Sequence, residues 1–370
     1  MSYKLAFPGQ TFFGAGSVEK LASCLPDDAK ILLAVGSHVK SSGLLDRLTR
    51  ILSNFETVTF CGVQAEPPLP EVDALIDFGR ENAVSAVVAV GGGSVLDAAK
   101  AAAAIIPLDG TVGDYFYKRK SIPGKGLFFA ALPTTAGTGT EATPNSVLSD
   151  PDTDIKKSIR HDTMFPDIAI IDPELTYSCP PALTAHSGLD ALTQAIESYI
   201  SRNANTVSKA LAARAAQLLF NALPRVCADL NSKSARRDMA EGSMITALAF
   251  AQSSLGAVHG VGHPIGSKLH VPHGLCCAIL LPKILRWNQD FCAEALDELA
   301  LNCNCAGGEF FIEEIEKLCK DLKIPDNFRE FGMTREIFPF VLENCRSGSM
   351  SSNPRHFEDH EIVKLLESLL

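Results

Sequence analysis

Tryptophan is almost missing, with one in 370 residues. No two of the 11 cysteines are spaced as Cys-x-x-Cys, which argues against a zinc finger or a dithiol redox motif. The odd, unpatterned cysteine count fits a reducing cytoplasm, with the thiols as small buried side chains. No apolar run approaches the ~18 residues that a membrane span requires, so no membrane partner is expected. The opening stretch MSYKLAFPGQ has no basic-then-apolar pattern, so no leader is expected. A basic block is also lacking. The chain has 33 Lys and Arg against 43 Asp and Glu, a formal net charge of −10, which disfavours a nucleic-acid partner.

What is present is an ordinary globular composition, 46% hydrophobic and 21% charged. At 370 residues, against roughly 100–200 per domain, two domains are expected. Short apolar runs recur through the first half: Lys30–Gly36, Thr57–Phe60, Ser85–Val90, Leu127–Leu132 and Ile168–Ile171. Their near-continuous apolar character suits strands buried on both faces of a parallel sheet. Helical patterns lie between some of them, at Glu71–Asn82 and Ser94–Ile106, which is the alternation of βαβ units. Past the Cys179-Pro180-Pro181 cluster strand-like runs nearly vanish and helical periodicity takes over. The expected domains are therefore an α/β unit over 1–179 and an all-helical unit over 180–370.

Two loops carry candidate ligand chemistry. Gly91-Gly92-Gly93-Ser94 directly follows the third run and opens a helix. Glycines let the backbone turn sharply and approach a ligand, and unpaired helix N–H groups favour a phosphate. Ser94 is placed either as the helix N-cap or as a phosphate donor. A ligand-free strand-to-helix turn is the plain alternative, because neither Gly-x-Gly-x-x-Gly nor a Walker loop is present. Pro133-Thr134-Thr135-Ala136-Gly137-Thr138-Gly139-Thr140 follows the fourth run and is dense in small hydroxyl donors. Ligands of open α/β sheets bind beyond strand carboxyl ends, so the two loops support each other.

The helical half holds a polar constellation. Asp190 and Gln194 are four residues apart, which puts both on one helix face, and His259 and His263 repeat that spacing. His273 follows closely in Pro272-His273-Gly274. Imidazole and carboxylate are standard ligands of divalent transition metals, and the surrounding sequence is apolar and glycine-rich. A single histidine here reads better as a satisfied core residue; the group together points to a metal or catalytic site.

These motifs together resemble the iron-containing (group III) alcohol dehydrogenase family almost end to end. The likeness is carried by Gly91-Gly92-Gly93-Ser94-x-x-Asp97-x-x-Lys100, Pro133–Thr138 with Glu141, and Asp172-Pro173. It continues through Gly188-x-Asp190-Ala191-Leu192 with Ala195-x-Glu197, His259-x-x-x-His263-Pro264, Pro272-His273-Gly274 and Asn353-Pro354-Arg355. The resemblance implies an α/β dinucleotide-binding domain, a helical metal and substrate domain, and a site in the cleft between them. It implies reversible hydride transfer between a small primary alcohol and NAD or NADP, with a divalent metal, Fe2+ or Zn2+. Carried over by position, Asp190, Gln194, His259 and His273 are the metal ligands, and His263 lies near the nicotinamide as the proton relay. The nucleotide would be met by Gly36, Ser37, Gly92, Gly93, Ser94, Asp97, Thr134, Thr135, Thr138, Thr143, Asn145, Lys156 and Thr176. Glu141 and Glu197 are read as structural. A cytoplasmic homodimer, paired through Lys4–Phe13, is implied by analogy.

The chain departs from the family pattern at three places. Gln194 stands where a histidine is usual, and an amide oxygen is a weaker ligand for Fe2+ or Zn2+ than imidazole. Weaker binding through Asp190, His259 and His273 is the favoured reading; a different metal and a metal-free site are the others. Gly36-Ser37-His38, with Lys40 nearby, replaces an acidic residue that would repel a 2′-phosphate, so NADP is expected to serve at least as well as NAD. Glu66-Pro67-Pro68-Leu69-Pro70 lacks a family asparagine on the adenosine side. An acidic aldehyde or maleylacetate-like substrate, and a lyase of the dehydroquinate-synthase type, are the competing functions.

Overall fold

The computed structural model describes residues 3–370. The chain divides into two compact units, Ala6–Cys179 and Pro180–Leu370, the latter joined by the described N-terminal residues before Ala6. The first unit has eight strands: β1 (Gln10–Phe13), β2 (Ile31–Val35), β3 (Thr57–Cys61), β4 (Ala86–Gly91), β5 (Phe128–Pro133), β6 (Asn145–Asp150), β7 (Ile155–Arg160) and β8 (Ile168–Ile171). Six form one sheet in the order β1-β8-β5-β4-β2-β3, parallel throughout. Alternate residues of the inner strands feed two separate apolar cores. Leu32, Ala34, Val87 and Ala89 face one; Ile31, Leu33, Val88 and Val90 face the other. Burial on both faces is why these strands read as unbroken apolar runs.

The strand order reverses between β2 and β4. From β2 the chain steps outward to β3, then returns to the other side of β2 and proceeds through β4 and β5. In open α/β sheets, this reversal leaves a crevice beyond the carboxyl ends of the strands. Here the ends are in register: Val35 pairs with Val90, and Gly91 with Pro133. Gly36, the Gly91–Gly93 turn and Thr134 therefore emerge side by side.

Three strands escape the apolar-run reading. β1 is a short edge strand held only by β8. β6 and β7 form a separate antiparallel hairpin, and β6 alternates buried and half-buried residues rather than burying all of them. One-sided burial removes the continuous apolar signal.

The second unit is helical, as expected. Its main helices are Pro181–Ile200, Thr206–Ala228, Lys233–Ser253, Ala257–Leu269, His273–Asn288, Ala293–Asn302 and Gly308–Asp321. Ala257–Leu269 is a surprise from local propensity, since it contains Gly260, Gly262, Gly266 and Pro264. Tertiary packing favours these glycines. A Cβ on Gly260 would sit 3.0 Å from Met350, and one on Gly262 would sit 3.3 Å from Leu280. Among the described residues no single helix is long and apolar enough to cross a membrane.

Candidate active site

In the α/β unit, the helix Gly93–Ile105 begins with Gly92 as its cap and no side-chain capping bond. Ser94 is thus not the N-cap. Its hydroxyl oxygen instead accepts the backbone N–H of Glu66 at 3.1 Å, and its own proton is left to donate. A Cβ on Gly92 would meet only Thr135, at 3.7 Å, so this face of the turn is open. At Gly93 a Cβ would overlap the Thr138 side chain, so the threonine-rich loop lies directly on the turn. The first N–H groups of a 13-residue helix, with no side chain covering them, suit an anionic diphosphate. The residues at hand therefore fit a dinucleotide.

The loop is held from below by a buried cation. Lys100 is 1% exposed, and its ammonium donates to the carbonyls of Thr140 and Thr143, both at 2.6 Å, and of Asn145 at 3.0 Å. Three donors meet three carbonyls, which uses the ammonium completely. Burial pushes the Lys100 pKa down and the Asp97 pKa up, while the attraction between the two partly offsets both. Burial also pushes Glu141 up to about 7. Asp97 accepts from the Thr140 hydroxyl at 3.4 Å, and its backbone carbonyl accepts from Ser146. Its carboxylate thus also braces the threonine-rich loop.

The remaining expected contacts fall into two sets. Gly36 ends β2 and caps the Ser37–Ser41 helix, where Ser37 and Lys40 are exposed and no carboxylate is present. Lys156, only 8% exposed, pairs with Glu66 at 3.0 Å, which ties the β6–β7 hairpin to the residue that also donates to Ser94. Thr134 and Thr135 are half-buried at the crevice, and the Thr138 hydroxyl is 3.3 Å from that of Thr140. Others are turned to scaffolding. Thr143 is buried against Lys100 and Thr140, Asn145 accepts from Arg160, and Thr176 donates to Pro173 within its own turn. Asp172 accepts the Val18 and Glu174 N–H groups, a structural use of its motif.

In the helical unit, three helices each present a pair of residues spaced four apart. Pro181–Ile200 carries Asp190 and Gln194, with Glu197 one turn further along the same face. Ala257–Leu269 carries His259 and His263, and His273–Asn288 carries His273 and Cys277. One ligand atom from each of Asp190, His259, His273 and Cys277 lies within 4.8 Å of all the others. His259 Nε2 is 3.3 Å from Asp190 Oδ1, and His273 Nε2 is 3.7 Å from the same oxygen. On the far side of the ring, His259 Nδ1 is 2.6 Å from Glu197, whose other oxygen accepts the Val258 N–H at 2.7 Å. A carboxylate behind a histidine fixes the ring and aims Nε2 into the group.

Among the described residues, two buried oxygens in this region have no hydrogen-bond partner: Asp190 Oδ1 and Gln194 Oε1. Orphaned buried polar atoms are costly, and a cation held by Asp190 accounts for its oxygen. Burial works against charge on His259, but the acidic groups Cys277, Glu197 and Asp190 outweigh it and raise its pKa well above the ordinary value. The field that attracts a proton there also attracts a metal. The donor chemistry fits a divalent transition ion. His263 is half-buried with its ring 5.3 Å from that of His273, beside the donors rather than among them. His186 and His270 lie outside the four-residue group.

Sequence reasoning missed Cys277, because buried cysteine was read as packing; its i, i+4 spacing from His273 was the available signal. Asn353 and Arg355 have structural uses. Asn353 accepts the Ala257 N–H at 3.1 Å and so caps the helix that carries His259. Arg355 donates to the Trp287 carbonyl and stacks over Trp287.

Comparison with known proteins agrees with this geometry. The family model described as iron-containing alcohol dehydrogenase matches residues 8–173, and that for the C-terminal part of the same family matches residues 184–370. A long-chain-alcohol dehydrogenase of Geobacillus thermodenitrificans is 34% identical over 92% of this chain and 90% of its own. An NADPH-dependent butanol dehydrogenase of Clostridium saccharobutylicum is 29% identical over 98% of this chain and 97% of its own. The crystal structure of a sulfoacetaldehyde reductase from Bifidobacterium kashiwanohense, in complex with NAD+, superposes with a TM-score of 0.93. It is 32% identical, covering 100% of this chain and 99% of that one.

Proposed function

The chain belongs to the iron-containing alcohol dehydrogenase family, oxidoreductases acting on CH–OH groups with a nicotinamide cofactor, and within it we propose a metal-dependent enzyme that interconverts a small primary alcohol and its aldehyde. The observation that carries this reading is the convergence of Asp190, His259 and His273 around an orphaned carboxylate oxygen. When bound, the ion supplies Lewis acidity toward the substrate oxygen. Glu197 holds the His259 ring in place, and Asp190 supplies the negative charge that retains a cation. Gly92, Gly93, Ser94 and the Thr134–Thr138 loop would hold the dinucleotide in a fixed position, and its nicotinamide would supply the hydride chemistry. His263, beside the donors, passes the hydroxyl proton toward solvent.

The absence of a carboxylate at Gly36-Ser37-His38, with exposed Ser37 and Lys40, supports acceptance of the NADP 2′-phosphate. NADPH is expected to match or exceed NADH in kcat/KM, and a 100-fold preference for NADH would contradict this. The activity itself is tested by following reduced nicotinamide with a panel of short aldehydes. Inactivity across that panel with both cofactors would remove the assignment. The likeness to a sulfoacetaldehyde reductase favours a second reading, an acidic aldehyde, so the panel includes anionic members. We also place the enzyme in the cytoplasm as a homodimer paired along β1, an edge strand with one side open. A monomeric mass in solution would remove the dimer.

A further inference from the structure

We infer that Cys277 is the fourth metal ligand, a thiolate that takes over the coordination lost at Gln194 and tilts the site toward zinc. The inference rests on the metal reading above and goes beyond the ligand set expected from the sequence. Four donors near the corners of a tetrahedron at ordinary zinc bond lengths, an arrangement that can expand to five-coordinate when a substrate oxygen enters, are separated by about 3.4 Å between N or O donors and about 3.6 Å from sulfur to N. The observed separations are close to this. Asp190 Oδ1 is 3.3 Å from His259 Nε2 and 3.7 Å from His273 Nε2. Cys277 Sγ is 3.8 Å from His259 Nε2 and 3.8 Å from His273 Nε2.

The thiol is aimed at the same centre. Its contacts run to the two imidazoles, whereas the adjacent Cys276 turns its sulfur to the Gly262 carbonyl at 3.3 Å. Cys277 is buried and outside any disulfide, so it is no exposed nucleophile. Asp190 Oδ1, on a residue only 1% exposed, makes no regular hydrogen bond and has the two imidazole nitrogens as its neighbours, as suits a cation ligand. A soft thiolate beside two imidazoles and one carboxylate favours Zn2+ over Fe2+, while the amide oxygen of Gln194 adds little to either.

The test is cobalt substitution of the full-length, metal-depleted protein under anaerobic conditions. One Co2+ per chain is expected, with an intense near-ultraviolet thiolate-to-cobalt charge-transfer band in the wild type, Gln194→Ala and Cys276→Ser. In Cys277→Ser the band disappears while cobalt still binds through three ligands, and zinc affinity falls by about tenfold or more. X-ray absorption of the zinc-loaded wild type detects the same ligand without a variant, as one sulfur neighbour at about 2.3 Å. Stoichiometric cobalt without the band, a band that survives Cys277→Ser, or an absorption spectrum with only N and O neighbours overturns the thiolate and leaves the metal reading standing. Failure to bind cobalt or zinc at all overturns both.

Discussion

The two units prepare for their ligands in opposite ways. In the α/β unit the preparation lies in backbone shape: a strand reversal, an open glycine and bare helix N–H groups. The charged side chains beneath that shape have internal partners, from Lys100 on three carbonyls to Lys156 on Glu66. In the helical unit the preparation lies in side chains, and two buried oxygens there have no partner. A shape-based site can stay satisfied while empty. A side-chain site of this kind carries unsatisfied charge until a cation arrives. The difference predicts that substitutions in one unit act through stability and nucleotide affinity, and in the other through metal content.

The largest expected effect breaks the side-chain site. Asp190→Ala should lower aldehyde reduction by about 1000-fold or more, the loss of several kcal/mol of charge stabilisation, and should abolish bound metal. Metal analysis alongside kinetics checks it; full activity with no bound metal would contradict the account. Without its metal the wild type keeps its fold but should lose the thermal stabilisation that ion binding confers.

Next comes the scaffold of the other unit. Lys100→Met strands three buried carbonyls and leaves Asp97 and Glu141 without their cation. A destabilisation of about 3–5 kcal/mol is expected by denaturant unfolding, with metal content per folded chain unchanged. A loss below about 1 kcal/mol would show that the loop does not depend on this ammonium. Gly93→Ala should be milder, about 1–3 kcal/mol, because the new methyl must displace Thr138. It should raise the KM for the nucleotide and leave metal binding untouched.

A pH dependence of comparable size follows. Glu141 has an ordinary pKa of 4.5, raised in the folded protein to about 7 by burial. A carboxyl with the higher pKa when folded binds more protons in that state. Stability therefore falls as pH rises between about 4.5 and about 7 on its account. Glu141→Gln should flatten that slope and stabilise the protein above pH 7 by on the order of 2–3 kcal/mol. Unfolding free energies at acid and neutral pH check this; parallel profiles for the two proteins would contradict it.

Much of this was legible in the chain itself, and the exceptions have physical reasons. The four buried parallel strands β2, β4, β5 and β8 show as continuous apolar runs because both faces are covered, whereas β3, at the other sheet edge, shows only as a short run of half-buried and exposed residues. The β6–β7 hairpin and the edge strand β1 do not show as runs, because they are covered on fewer sides. The helix Ala257–Leu269 was hidden by glycines that serve packing rather than turns. At the sites, periodicity exposed Asp190 with Gln194 and His259 with His263. It also held the third pair, His273 with Cys277, which burial disguised as core. Asp97, Thr143 and Thr176 share the motif positions of ligand-contacting groups, and the hydrogen bonds that they also make within the scaffold are revealed only by tertiary structure.

The most direct test is to strip the protein of metal, restore a divalent ion in measured increments, and record aldehyde-dependent oxidation of reduced nicotinamide at each step. Rate should rise in proportion to occupancy and level off at one ion per chain. A rate indifferent to occupancy, in protein that still binds the dinucleotide, would contradict the claim that the orphaned cage in the helical unit is the electrophilic centre of this enzyme.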